Sequence, residues 1–82
     1  MSQQGVKNRV KIARIEKGDL TQMELARRIG VTRQTISLIE AGKYNPTIKL
    51  CLQLSKVLGQ PLDRLFWLED TSEREWGQQS ES

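Results

Sequence analysis

The stretch Thr21-Gln22-Met23-Glu24-Leu25-Ala26-Arg27-Arg28-Ile29-Gly30-Val31-Thr32-Arg33-Gln34-Thr35-Ile36-Ser37-Leu38-Ile39-Glu40-Ala41-Gly42 decides the fold of this chain. Thr21 with Glu24 three residues later is a capping-box pattern: the threonine oxygen accepts an orphan backbone N–H of the first helical turn, and the glutamate reaches back to the threonine's own N–H. A helix therefore starts at Thr21 and runs through Leu25, Ala26 and Ile29 to Gly30, whose missing Cβ permits the left-handed backbone that reverses the chain. Thr32 caps a second helix, which runs to about Ala41 and is stopped by Gly42. Two helices joined by so short a turn must cross at a steep angle. Ala26 is small enough to allow that approach, and Leu25, Ile29, Val31, Ile36 and Ile39 lock the second helix onto the first.

Working outward, the 3.6-residue rhythm of apolar positions continues on both sides and nowhere gives way to sustained strand-like alternation. A first helix is expected over Val6 to Lys17, with Val6, Val10 and Ala13 facing inward and Ile12 a further candidate; Gly18 ends it and Asp19 belongs to the connection. Lys43-Tyr44-Asn45-Pro46 reads as a turn, because Pro46 biases Asn45 away from helical geometry. Thr47 can cap a fourth helix to about Leu58, with Cys51 as a small buried residue on its apolar side among Ile48, Leu52, Leu54, Ser55 and Leu58. Gly59 terminates that helix, and Pro61 or Leu62 starts a short fifth one ending near Trp67. The fold class is thus all-α with five helices. Residues 6–68 form one domain, followed by an acidic, polar tail over 69–82 that is expected to be loosely ordered, with Trp76 able to dock locally.

Charge is divided along the chain. Residues 1–56 hold eleven Lys and Arg against four acids, a balance of +7, whereas residues 57–82 hold two against six, a balance of −4. The basic part suits a polyanionic partner, although a mixed solvated surface explains such an imbalance nearly as often. There is no histidine and only one cysteine, so imidazole acid–base chemistry, histidine-ligated metal and a cysteine zinc cluster are excluded. No Gly-x-x-x-x-Gly-Lys phosphate loop is present, and no catalytic residue, metal or cofactor is expected. At 82 residues the chain leaves no room for a separate effector module, so no small-molecule site is expected either. The lone cysteine and the lack of a long apolar run predict a cytoplasmic protein with no membrane association.

The runs Thr21–Ala26, Gly30–Ser37 and Glu40–Pro46 together resemble the Cro/C1-type (Xre-family) helix-turn-helix of prokaryotic and phage regulators. The likeness is greatest to a compact single-domain branch in which Arg-Gln-Thr-Ile opens the recognition helix and Lys-Tyr-Asn-Pro follows it. It covers about residues 8–68, with the first connection one residue longer, at Asp19, than in many relatives. It implies a lambda-repressor-like DNA-binding domain whose third helix enters the major groove of double-stranded DNA. With Ile36 and Ile39 pointing inward, Arg33, Gln34, Ser37 and Leu38 face outward and Thr35 lies at the margin. Arg33 can bridge guanine O6 and N7, Gln34 can bridge adenine N6 and N7, Ser37 can donate or accept, and Leu38 can touch a thymine methyl.

The resemblance further implies phosphate contacts from Gln22 and Thr32 at helix starts and from Lys43, Tyr44 and Asn45 beyond the recognition helix, with Arg9 and Lys11 weaker candidates. It implies a structural ion pair between Arg14 and Glu40. Leu62, Leu65, Phe66, Trp67 and Leu68 are too dense an apolar cluster for a short terminal helix to bury alone. Leu65 and Phe66 are expected to fill the core, while Leu62, Phe66, Trp67 and Leu68 supply a homodimer contact; in close relatives the segment after this helix also joins the dimer, sometimes as a short strand. The function expected is a homodimeric transcriptional regulator, a repressor on a pseudo-palindromic operator. The alternative from another class is an antitoxin-like module that neutralises a partner protein through its acidic tail, with DNA binding for autoregulation.

Overall fold

The computed structural model describes residues 5–69. In chain order these form β1 (Val6–Asn8), α1 (Val10–Glu16), α2 (Gln22–Ile29), α3 (Arg33–Glu40), α4 (Ile48–Leu58), α5 (Leu62–Leu65) and β2 (Phe66–Leu68). Of the expected tail only Glu69 is described; residues 70–82, Trp76 among them, lie outside the described residues. Each of the three central helices starts where a threonine stands ready to cap it. Thr21, Thr32 and Thr47 all have extended backbones, and their side chains accept the N–H of Glu24, Thr35 and Leu50 respectively, satisfying one orphan donor at each start. The capping box at Thr21 is only half formed: the Glu24 carboxylate lies 3.9 Å from Arg28 and 4.0 Å from Arg27 instead of returning to the threonine.

The predicted five helices are present, but a small two-stranded ribbon was not foreseen. β1 and β2 pair antiparallel, with Val6 opposite Leu68, Lys7 opposite Trp67 and Asn8 opposite Phe66. This corrects both ends of the helical reading. The first helix begins at Val10 rather than Val6, because the Asn8 side chain accepts the Val10 N–H at 3.0 Å and the preceding backbone is engaged with β2. The fifth helix ends at Leu65 rather than Trp67, and Phe66 is already extended (φ −135°, ψ 140°). Arg9 N–H to the Leu65 carbonyl and Glu69 N–H to that of Gly5, at 3.0 and 2.9 Å, continue the pairing at either end.

One core joins all five helices. Val10, Leu25, Ile36, Ile39, Leu54 and Leu65 are sealed from solvent, with Ala26 at the α2–α3 crossing, and Leu20, Val31, Val57 and Phe66 pack partly buried against them. Truncating one of the sealed aliphatics to alanine removes about 2–5 kcal/mol, a large share of what so small a domain has. Three apolar residues expected to face inward fall outside this core. Ile12 is exposed on α1; on α4, Ile48 and Leu52 point to solvent while Leu50, Leu54 and Leu58 turn inward. Cys51, on the exposed stripe of α4, is accordingly half-buried instead of fully enclosed. No helix among the described residues is long and apolar enough to cross a membrane.

Candidate nucleic-acid interface

The joint between α2 and α3 is set by Gly30, which adopts φ 76°, ψ 33°, a left-handed conformation that any Cβ makes costly. Val31 N–H then bonds the Ala26 carbonyl at 3.0 Å. At the far end of α3, Gly42 takes φ 75°. The Gly42 N–H reaches the Ile39 carbonyl at 3.0 Å while Lys43 N–H reaches that of Leu38 at 2.9 Å, the paired bonds of a Schellman stop. Lys43, Tyr44 and Asn45 are thereby tied to the end of α3, and all three are exposed.

Between those two stops, α3 is fastened on one side and open on the other. Ile36 and Ile39 are at most 1% exposed, whereas Arg33 and Gln34 are exposed, Leu38 is 37% exposed, and Thr35 and Ser37 are half-buried. The outward grouping expected of Arg33, Gln34, Ser37 and Leu38, with Thr35 at its margin, is what the helix presents. Thr32 is exposed but committed: its hydroxyl accepts the Thr35 N–H at 3.2 Å and lies 3.0 Å from the Thr35 hydroxyl. Arg9 and Lys11 are exposed on the N-terminal side of the domain.

Beneath this face lies a polar network. Arg14 and Glu40 form the expected ion pair in bidentate geometry, Nε to Oε2 at 2.8 Å and Nη2 to Oε1 at 3.1 Å, with side chains only 11% and 6% exposed. A third guanidinium nitrogen, Nη1, donates to the Leu20 carbonyl at 2.8 Å, which pins the Gly18-Asp19 connection beside the pair. Gln22, half-buried at the start of α2, donates from Nε2 to Glu40 Oε1 at 3.0 Å and accepts from Arg33 Nη1 at 3.1 Å. From the other side, Asn8 donates to the Ile39 carbonyl at 2.9 Å, linking the ribbon to the end of α3. No buried side-chain nitrogen or oxygen among the described residues is left without a partner.

Sequence reasoning placed Gln22, Arg33 and Glu40 in three separate roles and missed that they touch. It missed Asn8 entirely, because a single asparagine near the chain start carries no periodic signal. It also missed an open apolar groove of about 510 Å³ lined by Ile48, Cys51, Leu62, Asp63 and Phe66. A readable clue existed there. Ile48, Cys51, Leu52 and Ser55 recur at i, i+3, i+4 and i+7, a second stripe beside Leu50, Leu54 and Leu58, and a helix with two such stripes has more apolar face than one core uses. Of the expected dimer residues, Leu62, Trp67 and Leu68 are exposed and Phe66 is half-buried against the core. Alternation along β2 sends Phe66 and Leu68 to one side of the ribbon and Trp67 to the other. Burial within the groove pushes the Cys51 thiol above its ordinary value, which keeps it protonated.

A family model described as helix-turn-helix matches residues 10–65. Among similar proteins, an uncharacterized HTH-type transcriptional regulator of Methanocaldococcus jannaschii is 46% identical over 52 residues, covering 63% of this chain and 79% of that protein. The uncharacterized HTH-type transcriptional regulator YgzD of Bacillus subtilis is 40% identical over 65 residues, covering 79% of this chain and 97% of its own length. A crystal structure from Bacteroides fragilis, provisionally described as a DNA-binding protein, superposes with a TM-score of 0.69 at 26% identity, over 76% of this chain and 98% of that one.

Proposed function

The chain belongs to the Cro/C1-type helix-turn-helix family, and from that premise we propose that it is a sequence-specific transcriptional regulator that inserts α3 into the DNA major groove. The observation that carries this reading is the two-sidedness of α3: Ile36 and Ile39 are sealed against α2 and the core, so Arg33, Gln34, Ser37 and Leu38 project from a helix that cannot rotate about its axis. Arg33 and Gln34 supply bidentate contacts to purine edges, each worth about 1–3 kcal/mol of discrimination. Ser37 and Leu38 supply a hydroxyl and an apolar contact, with Thr35 beside them. Gln22, Thr32, Lys43, Tyr44 and Asn45 flank the helix at its two ends and hold the sugar–phosphate chains.

One α3 reads only a few base pairs, so a second copy is needed to define an operator. Leu62 and half-buried Phe66 line the groove of α4, and Trp67 and Leu68 are exposed on the strand that follows; a two-fold contact built from them presents two recognition helices to half-sites about one helical turn apart. Residues 6–68 act as the DNA-binding unit of a cytoplasmic homodimer that needs no cofactor, and occlusion of a promoter makes it a repressor. The test is selection of bound duplexes from a random pool by the purified protein. Arg33→Ala and Gln34→Ala each relax selectivity at one base position, whereas Lys43→Ala weakens all sequences alike and lowers the salt dependence by about one phosphate's worth. Equal losses on every operator variant for both classes would refute the division between reading and clamping residues.

A further inference from the structure

We propose that Asn8 is a positioning residue for DNA binding: by tethering the last turn of α3 to the ribbon, it seats Lys43, Tyr44 and Asn45 against the sugar–phosphate chain. The proposal rests on the reading of those three residues as a phosphate clamp and gives that clamp its anchor.

Asn8 bridges two helices from its place in β1. Its Oδ1 accepts the Val10 N–H at 3.0 Å, at the start of α1, and its Nδ2 donates to the Ile39 carbonyl at 2.9 Å, in the last turn of α3. A backbone N–H only donates and a carbonyl only accepts, so the amide can take no other orientation. The Asn8 backbone is fixed in turn by the ribbon, where it stands opposite Phe66. The Ile39 carbonyl is among the last four of its helix, which have no partner further along it. It receives the Gly42 N–H at 3.0 Å within the Schellman stop, and the Asn8 amide serves its second lone pair.

The clamp takes its place from that stop. Lys43, Tyr44 and Asn45 are exposed, and they are tied to α3 through the Lys43 N–H, which reaches the Leu38 carbonyl at 2.9 Å, next along the helix from the one that Asn8 holds. Helix ends fray where their carbonyls lack partners. Released from Asn8, the last turn of α3 loosens and the clamp moves with it. Arg33 and Gln34 stand six and five residues before Ile39, roughly 8–9 Å away along the axis, on a stretch sealed by Ile36. Their aim survives, so Asn8 serves the phosphate contacts without touching base choice.

Two substitutions separate this role from plain stabilisation. Asn8→Ser keeps a hydroxyl that can accept the Val10 N–H but is too short to reach Ile39, whereas Asn8→Ala gives up both bonds. Each is compared with Lys43→Ala, and with the double variant Asn8→Ser plus Lys43→Ala, by titrating the selected operator and an unrelated duplex over a range of salt. Thermal melting is the folding control. Lys43→Ala lowers the salt dependence by about one phosphate's worth. Asn8→Ser and Asn8→Ala weaken operator and unrelated duplex alike, by about three- to tenfold, and to the same extent as each other; both lower the salt dependence and leave the ranking of operator variants unchanged. Asn8→Ala melts below Asn8→Ser, because it alone loses the α1 bond. In the Lys43→Ala background, Asn8→Ser costs less than it does alone.

Binding losses that follow the melting temperatures, larger for alanine than for serine, would make Asn8 a stabiliser only and overturn the proposal. An unchanged salt dependence, a loss undiminished in the Lys43→Ala background, or a shift in base preference would do the same while leaving the clamp itself in place. If Lys43→Ala left the salt dependence unaltered, the clamp would fall and its anchor with it.

Discussion

The molecule carries two exposed faces that differ in how complete each is within one chain. The outward face of α3 is polar and is held from beneath: its helix is sealed by Ile36 and Ile39, and its first residue is tied through Gln22 to the Arg14–Glu40 pair. The groove between α4, α5 and the ribbon is largely apolar, with Ile48 at 74% and Leu62 at 38% exposure, and no element of the described chain covers it. A polar face can wait in water for its ligand at no cost, while an apolar one gains from being covered. Under the proposed function the first face serves recognition and the second assembly, and each can be broken without the other.

The largest effect is expected where the recognition face is rooted. Glu40→Ala leaves the Arg14 guanidinium buried without its carboxylate, at a cost of about 3–5 kcal/mol, and lowers the melting temperature by at least about 12 °C in a domain of this size. Calorimetry would show this before any binding assay is meaningful; an unchanged melting curve with altered base preference would remove the pair from its structural role. Next comes the apolar face. Leu62→Glu puts an acid at the solvent-facing first position of α5, where the lone chain tolerates it, but buries an unpaired charge in the proposed two-fold contact. Operator affinity should fall roughly 100-fold, about 2.7 kcal/mol, with the dilute protein still folded. Sedimentation showing an intact dimer would mean the contact lies elsewhere.

These faces were not equally legible. The recognition face could be read because each of its determinants is a local rule: a threonine before a helix, a glycine where the chain reverses, isoleucines three apart. The rules fix both the boundaries of α3 and which way its side chains point. The polar network beneath it could not be read, since Gln22, Arg33 and Glu40 are brought together only by the crossing of α2 and α3, and a sequence pattern carries no distance between residues 18 apart. The ribbon was missed for a related reason. Three residues of strand have no periodicity to distinguish them from the first turn of a helix, and what makes Val6–Asn8 extended is Phe66–Leu68, some 60 residues later. On α4 the pattern is ambiguous: Ile48, Leu52, Leu54 and Leu58 read as one apolar side, and only packing shows that Leu50 joins Leu54 and Leu58 in the core while Ile48 and Leu52 stay exposed.

A smaller effect sharpens the comparison from the recognition side. Gly30→Ala introduces a Cβ that meets nothing within 4 Å, so the whole cost is the left-handed backbone, about 1 kcal/mol. The melting temperature should drop by roughly 4–8 °C with operator preference unchanged. A larger loss, or a shift in preference, would mean that the joint transmits strain into α3.

The smallest effect comes from Cys51, which reports on the apolar face without altering it. Its thiol lines the groove, 3.9 Å from the Pro46 carbonyl, and burial raises its pKa above the ordinary 9.0. The protonated form is thus the one the fold favours. The stability it contributes is fully present below pH 9 and is lost as pH rises from there through the raised folded value. Alkylation needs the thiolate, so at pH 8 labelling should already be slower than for a free thiol. If a second copy covers the groove, the rate should fall further as protein concentration rises through the dimer's dissociation range, and operator duplex, by drawing two copies together, should slow it again. A labelling rate indifferent to both concentration and DNA would place the assembly contact away from Cys51 and leave the groove outside the two-fold interface.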